Sequence, residues 1–465
     1  MKFCTIFTEQ NRNKMVMSKK WSFFLTILLL ISVVGLFAPI SGDTADKSSI
    51  VPADVAWILT ASALVFFMTP GLAFFYGGMV NKKNIISTML SSFIALGVIT
   101  VLWVVVGFSL AFGDDIGGFI GNPKTFFMFN NVFSSGPWKL APTIPLLLFA
   151  VFQLKFAVIT PAIVVGAVAE RIKFAGYLVV MILFSLLVYA PLAHWTWHPE
   201  GFLFKMGVLD FAGGTVVHIS AGCAALAGAL VLKPRQDLLK GNSIFPANIP
   251  YVILGTGMLW FGWFGFNAGS ALSASSLAVY AFATTAVASA SAALSWIFFD
   301  AARGRKPSAL GACIGAVVGL VAITPGAGFV AIGPSIFIGA VTSIISNLAV
   351  HWKSKTSIDD TLDVFPCHGL GGIVGMLLTG VFANKTINPA GANGLFYGGI
   401  DLFNKHLIAL LIVVVYSFCV SWVIFKIANA LIGLRVDAEN ENIGLDLSQH
   451  DETYSSRRNV FVPQP

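Results

Sequence analysis

From residue 55 onward, apolar residues fill eleven long stretches separated by short polar or charged turns: 55–80, 85–112, 142–169, 174–194, 211–232, 247–271, 277–302, 308–324, 330–352, 364–382 and 402–434. Each carries about 17 or more mainly apolar residues, enough for a helix to cross hydrocarbon. In lipid, only helices and closed barrels satisfy every backbone polar group. Runs this long and continuous exclude a barrel. The pattern predicts an all-α polytopic membrane protein, with eleven transmembrane helices in a domain over residues 50–435.

An earlier apolar run, from Trp21 to Ala38, follows Lys19 and Lys20 and leads into Ser41-Gly-Asp-Thr-Ala45. A basic start, an apolar core and a small polar zone predict a cleaved signal peptide over residues 1–45, with a retained first helix as the alternative. At the other end, residues 436–465 carry Asp437, Glu439, Glu441, Asp446, Asp451 and Glu452. That segment is too short and charged to build a core and reads as a tail.

Charge in the turns sets orientation. Lys82-Lys83, Arg171 with Lys173, Lys233 with Arg235 and Lys240, Arg303 with Arg305 and Lys306, and Lys353 with Lys355 occupy alternate loops. The positive-inside rule makes these loops cytoplasmic, with the mature N-terminus outside and the tail in the cytoplasm. An odd number of helices requires ends on opposite sides, so the two readings agree.

Composition narrows the class further. The chain is 57% hydrophobic and 11% charged, against about 25% charged in soluble domains. The net charge of +7 reflects those loops and the N-terminus and is no nucleic-acid signature. Cys4, Cys223, Cys313, Cys367 and Cys419 form no CxxC pair and read as packing residues. No metal or cofactor is expected.

Two histidines fall inside apolar stretches: His218 in the fifth and His368 in the tenth. An ionisable side chain at membrane depth usually faces a bundle interior or a pathway. Ten helices divide into two five-helix halves with inverted topology, plus a long final helix. Such repeats place a site near the midplane, between the halves. Aromatics cluster nearby in sequence: Phe152 and Phe156 lie four apart on one helix face, Trp195 and Trp197 end the fourth stretch, and Phe266 ends the sixth. Singly, each reads as core or interfacial belt. Together, beside a hydroxyl, they can hold a small cation over ring faces. His194 and His198 read as interfacial.

The chain resembles the ammonium transporter family (Amt/Mep/Rh). The signature-like run Asp210-Phe-Ala-Gly-Gly-Thr-Val-Val-His218-Ile-Ser-Ala-Gly carries the resemblance, with Gly71-Leu-Ala-Phe-Phe-Tyr-Gly-Gly, Phe264-Gly-Phe-Asn-Ala-Gly-Ser270, His368-Gly-Leu-Gly-Gly and the tail motif Gly444-Leu-Asp-Leu-Ser-Gln-His450. It implies a plasma-membrane (inner-membrane) homotrimer among membrane lipids, with one pore per subunit and no enzymatic activity. Phe156, Trp197 and Ser270 would recruit ammonium, Phe152, Phe156 and Phe266 would gate, and His218 and His368 would line the path for ammonia. Asp210 would cap the fifth helix and shape the local field. A PII-type nitrogen regulator would dock at the cytoplasmic face.

Two features depart from the family pattern. Lys155 stands where an uncharged residue is usual and is expected to alter ammonium affinity, unless it turns away or pairs with a carboxylate. His198-Pro-Glu200-Gly replaces a glycine-rich turn. An ammonium sensor signalling through the tail is the competing function. An intramembrane enzyme is set aside, because no HExxH or nucleophile elbow is present.

Overall fold

The computed structural model describes residues 19–39, 48–242 and 245–454. The expected cleavage zone from Ser41 to Ala45, Cys4 and residues 455–465 lie outside the described residues. All eleven expected stretches are helical. Ten are long apolar helices: Pro52–Met79, Lys82–Phe112, Leu146–Val168, Phe174–Met206, Gly214–Leu232, Ile249–Gly269, Ser276–Ala302, Ile332–Lys353, Phe365–Phe382 and Ile400–Ile432. With Ala309–Ile323 in eighth place, these are spans 1 to 11 in chain order. The eighth has only 15 regular residues, because Thr324-Pro-Gly turns the chain where Pro325 has no N–H to continue the ladder. A further apolar helix, Lys19–Leu36, precedes them and buries none of its side chains.

Lipid tails are as apolar as leucine, so helices in a membrane associate through close packing of small residues. Spans 5 and 10 show this most sharply. A Cβ added at Gly222 would sit 2.2 Å from the Cα of Gly369. The two backbones therefore touch one turn beyond His218 on span 5 and directly beside His368 on span 10.

These two spans are built alike and point in opposite directions. Each opens with a π-helical turn, Gly214–Ile219 or Phe365–Gly369. Each continues as a 13-residue α-helix, Ser220–Leu232 or Leu370–Phe382. Each start is held by an aspartate. Asp210 accepts from the N–H groups of Gly213, Gly214 and Thr215 at 2.7–2.8 Å. Asp360 accepts from those of Val364 and Phe365 at 3.0 and 2.7 Å. Span 5 ends on the face that carries the tail, where Arg435 donates to the Leu232 carbonyl; span 10 begins there. This is the inverted relation between the halves.

The basic loops gather on that tail face. Arg235 pairs with Asp359 at 2.8 Å and with Glu170. Glu170 also accepts from the Asn81 N–H and from the Asn84 amide. The tail helices Ala438–Ile443 and Leu445–His450 bind the same loops. Leu445 N–H donates to Asn84 at 2.8 Å, Ser87 N–H to Asp446 at 2.8 Å, and Gln236 N–H to Glu441 at 2.6 Å. Burial alone would raise the Asp359 carboxyl, but the Arg235 hydrogen bonds and nearby guanidinium charges hold it down at about 2. Its neighbour Asp360 lacks that partner, and burial pushes it up to about 6.

The Gly222–Gly369 contact leaves no space for a methyl group. Overpacking of this kind costs about 1–3 kcal/mol. Gly222→Ala is expected to lower the melting temperature of the detergent-purified protein, and an unchanged melting curve would show that the two helices can part without cost.

Candidate functional site

On the face opposite the tail, a cavity of about 350 Å³ opens among span 3, the end of span 4, the segment leading into span 5 and the turn after span 6. Span 3 contributes Phe149, Gln153 and Phe156, spaced four and three apart and so along one helix face. Span 4 contributes Trp197 and the turn after span 6 contributes Ser270. The chain leaves its helical course at His198 (φ −79°, ψ 134°), just before Pro199, which cannot donate to a helical ladder. The indole of Trp197 is held by its Nε1–H, which donates to the Asp210 carbonyl at 3.0 Å. One residue thus fixes both the indole and the start of span 5.

Ring geometry closes the floor of this vestibule. Phe156 meets Trp197 edge-on, centroids 5.8 Å apart at 82°, and overlies Phe266 at 4.2 Å and 35°. Both phenylalanines are buried. The Ser270 hydroxyl donates to the Phe266 carbonyl at 2.8 Å, leaving its lone pairs free to accept from a bound cation. Phe152, expected at the gate, packs edge-on behind Phe156 at 5.0 Å and lines neither this cavity nor the one below it.

Beneath the rings lies a second, enclosed space of about 10 Å³, enough for one water-sized molecule. His218 and His368 line it together with Trp263, Phe266 and aliphatic residues that include Leu72, Ile159 and Val317. The imidazoles meet through their Nδ1 atoms at 3.4 Å, planes 31° apart. A bond between two Nδ1 atoms of neutral rings requires one to be protonated at Nδ1 and bare at Nε2, and the other the reverse. His218 Nε2 is buried with no partner. An uncompensated polar atom costs about 1–3 kcal/mol, which a passing N–H donor can recover.

Asp210 is fully engaged. Beyond its three backbone donors it accepts from the Thr215 hydroxyl at 2.5 Å. Its two oxygens thus meet four donors, all at the start of span 5.

Several residues of the site were not evident from sequence. Trp263 stacks on His218 at 5.3 Å and 20°, and its Nε1–H donates to Thr324 at 2.9 Å, which locks the plane of the imidazole. Asp360 is the counterpart of Asp210, and a signal for it existed: Asp210 to His218 and Asp360 to His368 are both eight-residue intervals. Gln153 and Thr196 also line the vestibule; nothing in their spacing marked them.

Lys155 turns away from the Phe156 face: its ammonium lies 5.5 Å from the Phe66 ring centroid, and it does not line the vestibule. His194 and His198, at the open-face end of span 4, are buried within the protein. They stack at 4.3 Å beneath the short hairpin of Asp115–Ile116 and Ile120–Gly121, and His194 Nε2 bonds Asp115 at 2.8 Å.

Comparison with known proteins finds the same architecture elsewhere. Residues 56–455 match the model of the Ammonium Transporter Family. An ammonium transporter of Aquifex aeolicus is 46% identical over 428 residues, covering 91% of this chain and 97% of its own. Among solved structures, Saccharomyces cerevisiae Mep2 superposes with a TM-score of 0.81 at 36% identity, over 90% of this chain and 95% of that one. A protein described as a sensor Amt protein superposes at 0.78 with 30% identity, over 86% of this chain and 98% of its own.

The four bonds to Asp210 make it the support of the vestibule floor. Asp210→Ala strips acceptors from three buried N–H groups, at about 1–3 kcal/mol for each group left unpaired. The expected outcome is a large loss of thermal stability, with Asp210→Asn intermediate because its amide keeps one acceptor. Equal melting temperatures for wild type and Asp210→Ala would contradict this role.

Proposed function

The chain belongs to the ammonium transporter family and moves ammonium across a membrane; from that premise we propose that it recruits NH4+ as an ion and conducts it as ammonia. A bare ammonium ion is costly at membrane depth. In the vestibule, the rings of Phe156 and Trp197 and the Ser270 oxygen receive it. Cation–π attraction of about 0.5–2 kcal/mol per ring gathers the ion without trapping it. Below Phe156 and Phe266 the lumen is too narrow for a hydrated ion, so the ion gives up a proton there and ammonia proceeds.

The observation that carries this reading is the imidazole pair under the rings, with one nitrogen unpartnered. A proton arriving at a bare His218 Nε2 lets the shared proton shift to His368 Nδ1, and His368 releases its Nε2 proton toward the tail face. Ammonia and the proton recombine beyond it. Nothing is consumed: the pair ends with the same number of protons and with the tautomer of each ring reversed.

The tail face is the cytoplasmic one in this reading, supported by the basic loops that meet there. Residues 1–45 are a cleaved signal peptide, and the protein resides in the plasma membrane. In this reading the protein assembles as a homotrimer, as the resemblance to the family implies. The docked tail and its neighbouring loops offer a PII-type regulator its surface. A sensing role is the second reading, favoured by the likeness to the sensor Amt protein; flux in proteoliposomes separates the two.

Solid-supported-membrane recordings with ammonium pulses test the proposal. The wild type is expected to give a current, and the double variant His218→Ala with His368→Ala to lose it or to admit potassium. Current that persists in the double variant with ion selectivity intact would rule out the relay. Because Lys155 turns toward Phe66, Lys155→Met is expected to leave the concentration dependence of that current unchanged; a marked shift would return Lys155 to the site.

A further inference from the structure

The last regular turns of span 4, Ala190–Trp197, lie beneath the short hairpin on the open face, and a buried histidine marks the junction. His194 is fully enclosed. Its Nδ1 lies 3.0 Å from the Ala111 carbonyl at the end of span 2, and its Nε2 lies 2.8 Å from Asp115 Oδ1 in the hairpin. A carbonyl and a carboxylate only accept. Both ring nitrogens must therefore carry hydrogen, which an imidazole does only as a cation.

The neighbouring ring has the opposite assignment. His198 stacks on His194 at 4.3 Å and 16°, and its Nδ1 accepts from the Glu200 N–H at 3.1 Å. A bare Nδ1 makes His198 neutral. Asp115 supplies the counter-charge. Burial would raise its carboxyl, but the hydrogen bonds from His194 and from the Gly118 N–H, with the charge of the ring, hold it below the usual carboxylate range. The other charged groups nearby have their own partners. Asp114 accepts from the Thr125 hydroxyl at 3.1 Å. Glu200 pairs with Lys205 at 2.6 Å, and Lys139 also acts on Glu200.

The junction holds more than one side chain. The Trp195 indole donates to the Phe119 carbonyl in the hairpin turn at 2.7 Å, and the Phe202 N–H donates to the Gly118 carbonyl at 3.2 Å. His194 precedes Trp197 by three residues, on one side of the same helix. His198 follows Trp197 directly. Its ring lies 5.2 Å from that of Trp138, which stacks on Phe149 in the vestibule wall.

We propose that His194 stands as an imidazolium and is a positioning residue for the vestibule. Its two bonds clamp the last turn of span 4 between span 2 and the hairpin, and Trp197 takes its place over the path from that turn. The inference rests on the ammonium reading above and adds to it a dependence on pH at the open face. Protons reach the ring by way of Asp115, whose side chain is 23% exposed. When the ring loses its proton, one nitrogen is left bare against an acceptor. Either the carbonyl bond or the carboxylate bond is then lost. The clamp loosens, and the Asp210 carbonyl alone holds the indole.

Two measurements on the full-length protein test this. Nitrogen NMR in lipid at neutral pH should show a histidine with both ring nitrogens protonated, and that signal should vanish in His194→Gln. Loss of a signal with one bare nitrogen instead would overturn the imidazolium. The second measurement is the half-saturating ammonium-ion concentration of the current in proteoliposomes, as a function of pH on the vestibule side. In the wild type it should rise several-fold on the alkaline side. In His194→Gln it should be raised several-fold throughout, without that rise. Asp115→Asn lies outside the spans and removes only the counter-charge, so its rise should begin nearer neutrality. Wild-type pH profiles in both variants would overturn the clamp. Should His194→Gln fail to fold, Asp115→Asn decides by its profile and by the change in the doubly protonated signal. A wild type with that signal and without current would refute the ammonium reading and leave the imidazolium standing.

Discussion

A helix that begins inside a membrane must find partners for its first N–H groups, because lipid supplies none. Here two such helices start from opposite faces, and an aspartate answers the requirement in each. Asp210 and Asp360 bind the opening turns of spans 5 and 10, and the π-helical turns that follow carry His218 and His368. The contact of Gly222 with Gly369 then brings the two helices close enough for the imidazoles to meet. Most of the site's geometry descends from these three contacts.

The same capping reaches further on each side. Above, the Asp210 carbonyl holds Trp197, so the indole over the gate is registered to the histidine helix below it. On the tail face, Asp359 beside Asp360 pairs with Arg235, and Arg235 with Glu170. The start of span 10 is thus tied to the loops on which the tail rests. Trp197 and the start of span 5 share one set of hydrogen bonds through Asp210, and the loops and the tail share another through Arg235, Glu170 and Asn84.

Much of this was legible in the sequence, because membranes impose a simple code. Length and apolarity alone gave the eleven helices, and loop charge predicted which loops gather on the tail face. The eighth helix, expected over 308–324, runs from Ala309 to Ile323 with Ser308 and Thr324 as its caps. The histidine pair was legible because ionisable groups are rare in such stretches. Lys155 adjoins Phe156 in sequence, and adjacency on a helix says nothing of which way a long side chain turns. The burial of His194 and His198 was not legible, because a small hairpin, invisible to periodicity, covers them. Trp263 was lost among the aromatics that any membrane helix carries, and only its stacking on His218 distinguishes it. Asp360 went unread although its eight-residue interval matched that of Asp210.

The disparity between the two cavities has its own consequence. A roomy antechamber feeds a bore wide enough for a single small molecule. Bulkier amines fit the first and not the second. On the proposed reading they would lodge as stoppers rather than travel as cargo, which would put the size filter in the aliphatic and imidazole walls of the lower chamber and not in the stickiness of the mouth.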